Sequence, residues 1–518
     1  MPSKRKAESE AETQNSSSCS HANLWTACSP NAARAGYRVR TATQLAAAAA
    51  FPKCPPVTPE AHSESTFPLP LVLPDDDLSY DPSCPAQSLK EWLKEEDRNP
   101  VAEDRRIIYV AGPPTIHKDV DFIAPWSIPS GKKLSPLAAP SMEGVSGYLN
   151  AFYLGMEVRP LPLEMRFVSW DEPQSGRGRA KASTKNAKVD TTKFIGLAVG
   201  DGLTRIRTRS PPDGRFPRQL NSDDLLDALL SVLPDDAYAT VMLVPYDLWE
   251  GDEKTDDDDC DFICGRAYGA SRISVVSTAR YDPRLDEIQD VEELHAWPAA
   301  HCATFVQDQC QLALGHKKKR TKRDMTTQSI VAKPTASNSP LRAAVDAYTN
   351  ALVSSNSASA MTWLARVTRT TAHELGHCFG LDHCVYAACS MQGTAGLSED
   401  ARQPPYLCSI CVRKVVYATS FEGVDTAEAL ADVEINHSPK SARPRRTLKA
   451  RPPKTTRAVQ AFPSNGDLES KIKDRYEALR DFCSTQAEAP LFAAHAAWLS
   501  VVLNEIEQAS EPAPIHSL

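Results

Sequence analysis

Residues 373–383 read HELGHCFGLDH, and the rest of the chain is read outward from them. His373 and His377 are four positions apart, so on a helix they share one face and can hold one metal ion together. Glu374 sits about 100° further round, at the edge of that face, within reach of a water on the metal. Gly380 lets the chain leave the helix through a left-handed turn. That turn brings His383 back as a third ligand. Three neutral imidazoles with one position left open describe a catalytic zinc site rather than a closed structural one.

The next residues add sulfur. Cys384 and Cys389 are followed by Met391, and Cys408 and Cys411 form a CxxC pair. Four thiolates close a tetrahedral structural zinc site, which makes two zinc ions per chain the expectation. Cys378, inside the histidine motif, reads as a helix-packing thiol. Cys260, Cys264, His295, His301 and Cys302 follow no recognisable ligand spacing and are taken as unrelated to one another.

The pattern HExxHxxGxxH resembles that of the metzincin metalloproteases, which place a methionine turn downstream. The longer string HExxHxxGxxHCx4CxM, closing with CxxC, is similar to the archaemetzincins. At that strength the likeness covers less than a tenth of the chain. Weaker echoes are Asp247-Leu248-Trp249, where the family has a tyrosine last, the FxxGxA segment from Phe262, a strand running into Ser277–Pro283, and the DRYEAL of Asp474–Leu479. The resemblance implies an α+β, metzincin-like zincin fold: a mixed twisted sheet, an active-site helix and a short helical C-terminal part. It implies a zinc-dependent peptidase with Glu374 as general base, Met391 as the apolar floor under the histidines, and a peptide or protein substrate. Aminopeptidase-like action is one form this could take. It also implies Ser274–Thr278 as the cleft rim that pairs with extended substrate. The alternative is a zinc-scaffolded binding protein with weak or no protease activity. Glu374 argues against that, since a scaffold needs no base beside its metal.

Composition sets the remaining expectations. The 518 residues hold 40 prolines against 22 glycines, and 42% are apolar, enough for one substantial core. A net charge of −8 gives no general pull towards nucleic acid or membranes. Fourteen cysteines in clusters, behind an N-terminus (MPSKRKAESEAETQ) without an apolar leader, point to metal binding in a reducing compartment. The expectation is a cytoplasmic and/or nuclear monomer, with no membrane or nucleic-acid partner. The basic runs Lys4–Lys6, His316–Arg323 and Arg443–Arg451 read as solvated segments or import signals.

Domain organisation follows from where periodicity starts and stops. Residues 1–100 lack sustained periodicity and are expected to be largely disordered, apart from a short helix at Trp92. A catalytic domain is expected over 101–416, with insertions near 172–190, 250–261 and 308–340. A basic, Pro-rich insertion should follow over 417–463, then C-terminal helices over 464–510. Within the domain, strands are predicted at Arg105–Gly112, Met165, Phe194, Tyr238–Val244 and Arg272–Arg280. Helices are predicted at Asp223–Leu233, Leu341–Leu352 and Met361–His373.

Overall fold

The computed structural model describes residues 19–52, 63–131, 134–170, 193–251, 261–269, 271–315, 338–354, 358–421 and 462–510. The strands, in chain order, are β1 (Ile107–Ala111), β2 (Thr115–Ile116), β3 (Glu157–Pro160), β4 (Met165–Val168), β5 (Phe194–Val199), β6 (Gly202–Arg209), β7 (Gln219–Asn221), β8 (Ala237–Val244), β9 (Asp247–Trp249), β10 (Gly265–Ala267) and β11 (Ile273–Ser277). The helices that build the site and its support are α1 (Leu89–Lys94), α2 (Met142–Phe152), α3 (Ser222–Leu230), α4 (Pro340–Ser354), α5 (Ala358–Cys378), α6 (Ser409–Ser420), α7 (Asn465–Thr485) and α8 (Pro490–Ser510).

One sheet has the order β10-β11-β8-β1-β3. Of its four pairings three are parallel, and at the outermost β10 runs antiparallel to β11. A buried parallel sheet must be apolar on both faces, which explains the unbroken run at Tyr238–Val244. Val241 and Leu243 join the core under α5, while Met242 and Val244 join the core on the opposite face, with Leu225 and Leu229 of α3. Strand β11 divides in the same way, with Val276 on the α5 side and Ile273 and Val275 on the other. A second sheet, β2-β4-β5-β6-β7-β9, completes that opposite layer. The expected α+β class is the one observed, with two sheets instead of one.

Two family echoes meet in the interior. Asp247 of β9 is fully buried and takes both Nε and Nη2 of Arg280 at 2.7 Å. A bidentate pair of this kind fixes the relative position of two segments that are distant in sequence. Trp249, in the place of the family's tyrosine, is also buried, with Arg209 stacked 4.5 Å from its ring centroid.

The expectation for residues 1–100 needs correction over 19–52 and 63–100. These residues wrap the catalytic layer and bury Trp25, Leu45, Phe51, Phe67, Leu71 and Trp92. Their apolar side chains are widely spaced and pack against distant elements, so no local period reveals them. The boundary at 416 also moves. Helix α6 continues to Ser420, because Tyr417 is buried among Phe51, Trp92 and Phe462. Helix Ala303–Gly315 likewise extends into the expected insertion at 308–340. The rest of that insertion up to 337, the insertion at 172–190, residues 252–260, most of 417–463 and the three basic runs lie outside the described residues. Helices α7 and α8 pack together at the C-terminal end as expected, and α8 also lies along α4. Among the described residues, no helix is long and apolar enough to cross a membrane.

Candidate active site

Helix α5 carries the first two histidines across the edge of the five-stranded sheet, against β10 and β11. Its last turn closes with a pair of backbone bonds, Leu381 N–H to Gly376 O at 3.1 Å and Gly380 N–H to His377 O at 2.9 Å. Gly380 holds φ at +75°, the left-handed geometry that such a stop requires. The reversal returns His383 to the face of His373 and His377. One ligand nitrogen from each of the three lies within 4.8 Å of the others.

The protonation pattern suits ligation. His373 Nδ1–H donates to the Ser390 carbonyl and His377 Nδ1–H to the Leu381 carbonyl, each at 2.7 Å. Both Nε2 atoms are thereby left as lone-pair donors, and they lie 3.1 Å apart. Burial holds His373 well below the ordinary histidine range and His377 at about 4, with the neighbouring imidazoles acting in the same direction. Burial also lowers His383, against the pull of Asp77 and Asp382. Neutral imidazole is the form a metal takes.

Glu374 lies on the same cleft, which has a volume of about 600 Å³ and is lined also by Gly265, Arg266, Tyr281 and Asp400. Burial pushes its carboxyl up to about 8; Arg266 works against this and Asp400 adds to it. Arg369, one turn before His373, forms an ion pair with Asp400 on the cleft wall. Tyr281 accepts a hydrogen bond from Thr370 Oγ1 at 2.6 Å.

Met391 lies buried beneath the histidines. A Cβ on Gly376 would fall 2.4 Å from its Sδ, so the glycine of the helix motif is the socket for the methionine. The same loop presents the Ser390 carbonyl to His373, and Met391 O accepts from Cys384 N–H at 2.6 Å. The floor of the site and its histidine tautomer therefore depend on one loop.

Cys384, Cys389, Cys408 and Cys411 are all buried, with their four sulfurs within 4.8 Å of one another. Cys384 Sγ and Cys408 Sγ are 3.7 Å apart, close to the ~3.8 Å that tetrahedral thiolates at about 2.3 Å from zinc require. Backbone N–H groups of Met391 and Cys408 point at Cys389 Sγ at 3.4 and 3.2 Å, as donors to a thiolate would. Both donor sets therefore fit zinc. Cys378 belongs to neither; it is buried, with its thiol 3.7 Å from the Ile273 carbonyl.

The rim needs correction. Ser274–Thr278 is not an edge, because β11 lies between β8 and β10. The edge is β10, the FxxGxA segment, and it runs beside Glu374. Sequence reading quoted this segment without giving it a role. It also missed Asp77 and Gln87. A Cβ on Gly393 would meet Asp77 Oδ2 at 2.6 Å and His383 Nδ1 at 2.8 Å, so this carboxylate flanks the third histidine. Gln87 bridges the loop after α5 to Lys414. Neither position carries a motif.

A family model, peptidase family M54, matches residues 351–416. Archaemetzincin-2 of Pongo abelii is 24% identical over 366 residues, which cover 70% of this chain and 73% of that protein. Archaemetzincin-2 of Rattus norvegicus is 45% identical over 67 residues, 13% of this chain and 19% of that protein. Among solved structures, the archaemetzincin of Methanopyrus kandleri aligns with 15% identity and a TM-score of 0.27, covering 61% of this chain and 96% of that one. Residues 373 to 411, which hold the triad, the methionine and the four thiols, lie wholly within the matched segment, and the chain is a zinc metallopeptidase similar to the archaemetzincins.

Proposed function

We propose that the chain hydrolyses peptide bonds at the His373–His377–His383 triad, with aminopeptidase-like preference, and that it carries two zinc ions of unequal role. The observation that carries this reading is the convergence of three neutral imidazoles on the cleft that also holds Glu374. Zinc, when bound, supplies Lewis acidity and lowers the pKa of water towards neutrality. Glu374 takes the proton of the attacking water and returns it to the leaving amine. The backbone of Gly265–Ala267, paired with β11 on one side, offers its other side to an extended peptide. Three residues of edge accommodate only a short stretch of substrate, which favours action near a chain end. Asp261, exposed on the cleft lining, is a partner for a substrate α-ammonium group.

The four-thiol cage is the second ion's place, and its role is structural. Four reduced cysteines suit a reducing compartment, so we assign the protein to the cytoplasm and/or nucleus, as a monomer without nucleic-acid partners. Retention of Glu374 disfavours a binding-only scaffold.

The test uses a mixed peptide library, each peptide with a free or an acetylated N-terminus, against wild type and Glu374→Gln. Wild type should release single residues from free N-termini, and the variant should lose activity by a factor on the order of 10²–10⁴. Equal turnover by both proteins would defeat the peptidase mechanism. Equal cleavage of acetylated peptides would defeat only the aminopeptidase preference.

A further inference from the structure

His295 and Cys302, which sequence spacing left unrelated, are brought together with a residue from the far N-terminal side. Cys19 Sγ lies 3.4 Å from Cys302 Sγ, and one ligand atom from each of Cys19, His295 and Cys302 falls within 4.8 Å of the others. None of the three belongs to the triad or the cage. Their meeting is set by backbone pairing. Leu24 forms an antiparallel bridge with Cys302, Trp25 N–H donates to His301 O at 2.6 Å, and Ala303 N–H donates to Asn23 O at 3.0 Å. His301 lies outside the cluster, and its Nδ1–H donates to the Trp25 carbonyl at 2.7 Å.

His295 is oriented as a metal ligand is. It is only 8% exposed, and its ring stacks on Phe305 at 4.4 Å between centroids. Its Nδ1 sits 2.7 Å from Glu292 Oε1, which leaves Nε2 as the free donor. That Nε2 is buried and faces the sulfurs of Cys302 and Cys19, and among the described residues none lies at full hydrogen-bond distance from it. Buried polar atoms are normally satisfied, so an occupant shared with the two sulfurs would complete the site. A carboxylate on the far nitrogen of a histidine whose near nitrogen faces two sulfurs is the usual support of a ligating imidazole. His21 stands edge-on to the His295 ring, 5.4 Å between centroids, and its Nε2 is likewise buried and unpaired.

We propose that Cys19, His295 and Cys302 form a third zinc site that clasps the segment 19–25 to the segment 295–302. Two thiolates and an imidazole are a donor set that zinc favours over magnesium, calcium or manganese. A disulfide between Cys19 and Cys302 would bring the sulfurs to about 2.05 Å, but it would leave the His295 nitrogen without a partner.

The experiment measures zinc per chain by elemental analysis in full-length wild type, Cys302→Ser and His295→Ala, all purified without chelator. Each variant should hold one zinc fewer than wild type, whatever the loading of the other sites, and should melt at a lower temperature. Unchanged zinc in both variants would overturn the proposal. A second measurement avoids the substitutions. In native wild type, Cys19 and Cys302 should resist alkylation until a chelator is added. Free alkylation beforehand, or recovery of a Cys19–Cys302 disulfide peptide, would also overturn it. Because the readout is a difference in metal content, it is separate from any failure of the peptidase reading.

Discussion

Gly265 of β10 stands so close to Glu374 of α5 that a methyl group on it would fall 2.5 Å from Oε1 and 2.7 Å from Cγ. The β10 edge and the Glu374 carboxylate are therefore in direct contact, and the absence of a side chain at 265 is what gives the carboxylate its place. Gly265→Ala should push Glu374 aside without touching the histidines. A misplacement of about 1 Å near the reacting atoms costs on the order of 10²-fold. The expected result is a fall in kcat of about 10–100-fold, with zinc content retained. Steady-state kinetics beside elemental analysis checks it. An alanine variant with wild-type kcat would show that turnover does not depend on where Glu374 sits.

What could be read from the sequence follows from what each residue's reach is. His373, Glu374, His377 and Gly380 declare themselves because helix geometry alone sets their relation. Cys384 and Cys389 declare themselves through their nearness to His383. Tyr238–Val244 is legible because both of its faces must be apolar. Gly265 is different: its meaning depends on which strand lies at the edge, and that is decided by the pairing of β11 with β8. Asp77, Gln87 and Cys19 come from a region with no period at all. They meet their partners through tertiary packing, which a local pattern does not encode. The same holds for the second sheet, whose strands β2, β7 and β9 have two or three residues each.

Gln87 offers a test of that N-terminal wrap. Its Nε2 donates to Gly380 O at 3.0 Å, and its Oε1 accepts from Asp382 N–H at 3.2 Å. Lys414 Nζ reaches both Oε1 and the backbone oxygen of Gln87 at 2.6 Å. Gln87 and Lys414 are both buried. Gln87→Leu keeps the bulk but removes partners from a buried ammonium group, a carbonyl and an N–H. Unpaired buried groups cost ~1–3 kcal/mol each, so a loss of roughly 2–4 kcal/mol is expected after local relaxation. Because Asp382 precedes His383, zinc affinity should weaken as well. Denaturant unfolding and a zinc competition titration read the two effects.

His495 predicts an acid sensitivity separate from the metal sites. Burial lowers it to about 3, and Arg475 acts in the same direction. The unfolded chain takes up this proton near pH 6.5, whereas the folded chain resists it until about pH 3. Between those values the unfolded state binds more protons, so stability falls as pH falls. His495→Phe removes the group and should flatten the decline between pH 6.5 and 4. Melting temperatures of both proteins across that range decide it. Loss of zinc in acid affects both alike, so the difference between the two curves is the diagnostic quantity. Parallel curves would count against the assignment.

The last prediction concerns the thiol cage and the histidine triad as separable sites. His383 and Cys384 are adjacent, yet one serves the triad and the other the cage. Cys389 precedes Met391 and Cys408 follows it, so an ion in the cage fixes both ends of the loop that seats the methionine. That loop also carries the Ser390 carbonyl that holds His373. Emptying the cage should therefore loosen the floor of the triad, whereas emptying the triad should leave the cage closed. A structural zinc contributes on the order of 10 kcal/mol in small domains at neutral pH; here the surrounding core supplies part of the order. Cys408→Ser with Cys411→Ser should remove one zinc per chain, lower the melting temperature markedly and reduce activity indirectly. His377→Ala should remove a different zinc and the activity, with a smaller loss of stability. Zinc stoichiometry, calorimetry and peptide turnover on the two variants test this asymmetry. Equal losses of stability in both, or four thiols that titrate freely in the native wild type, would rule it out.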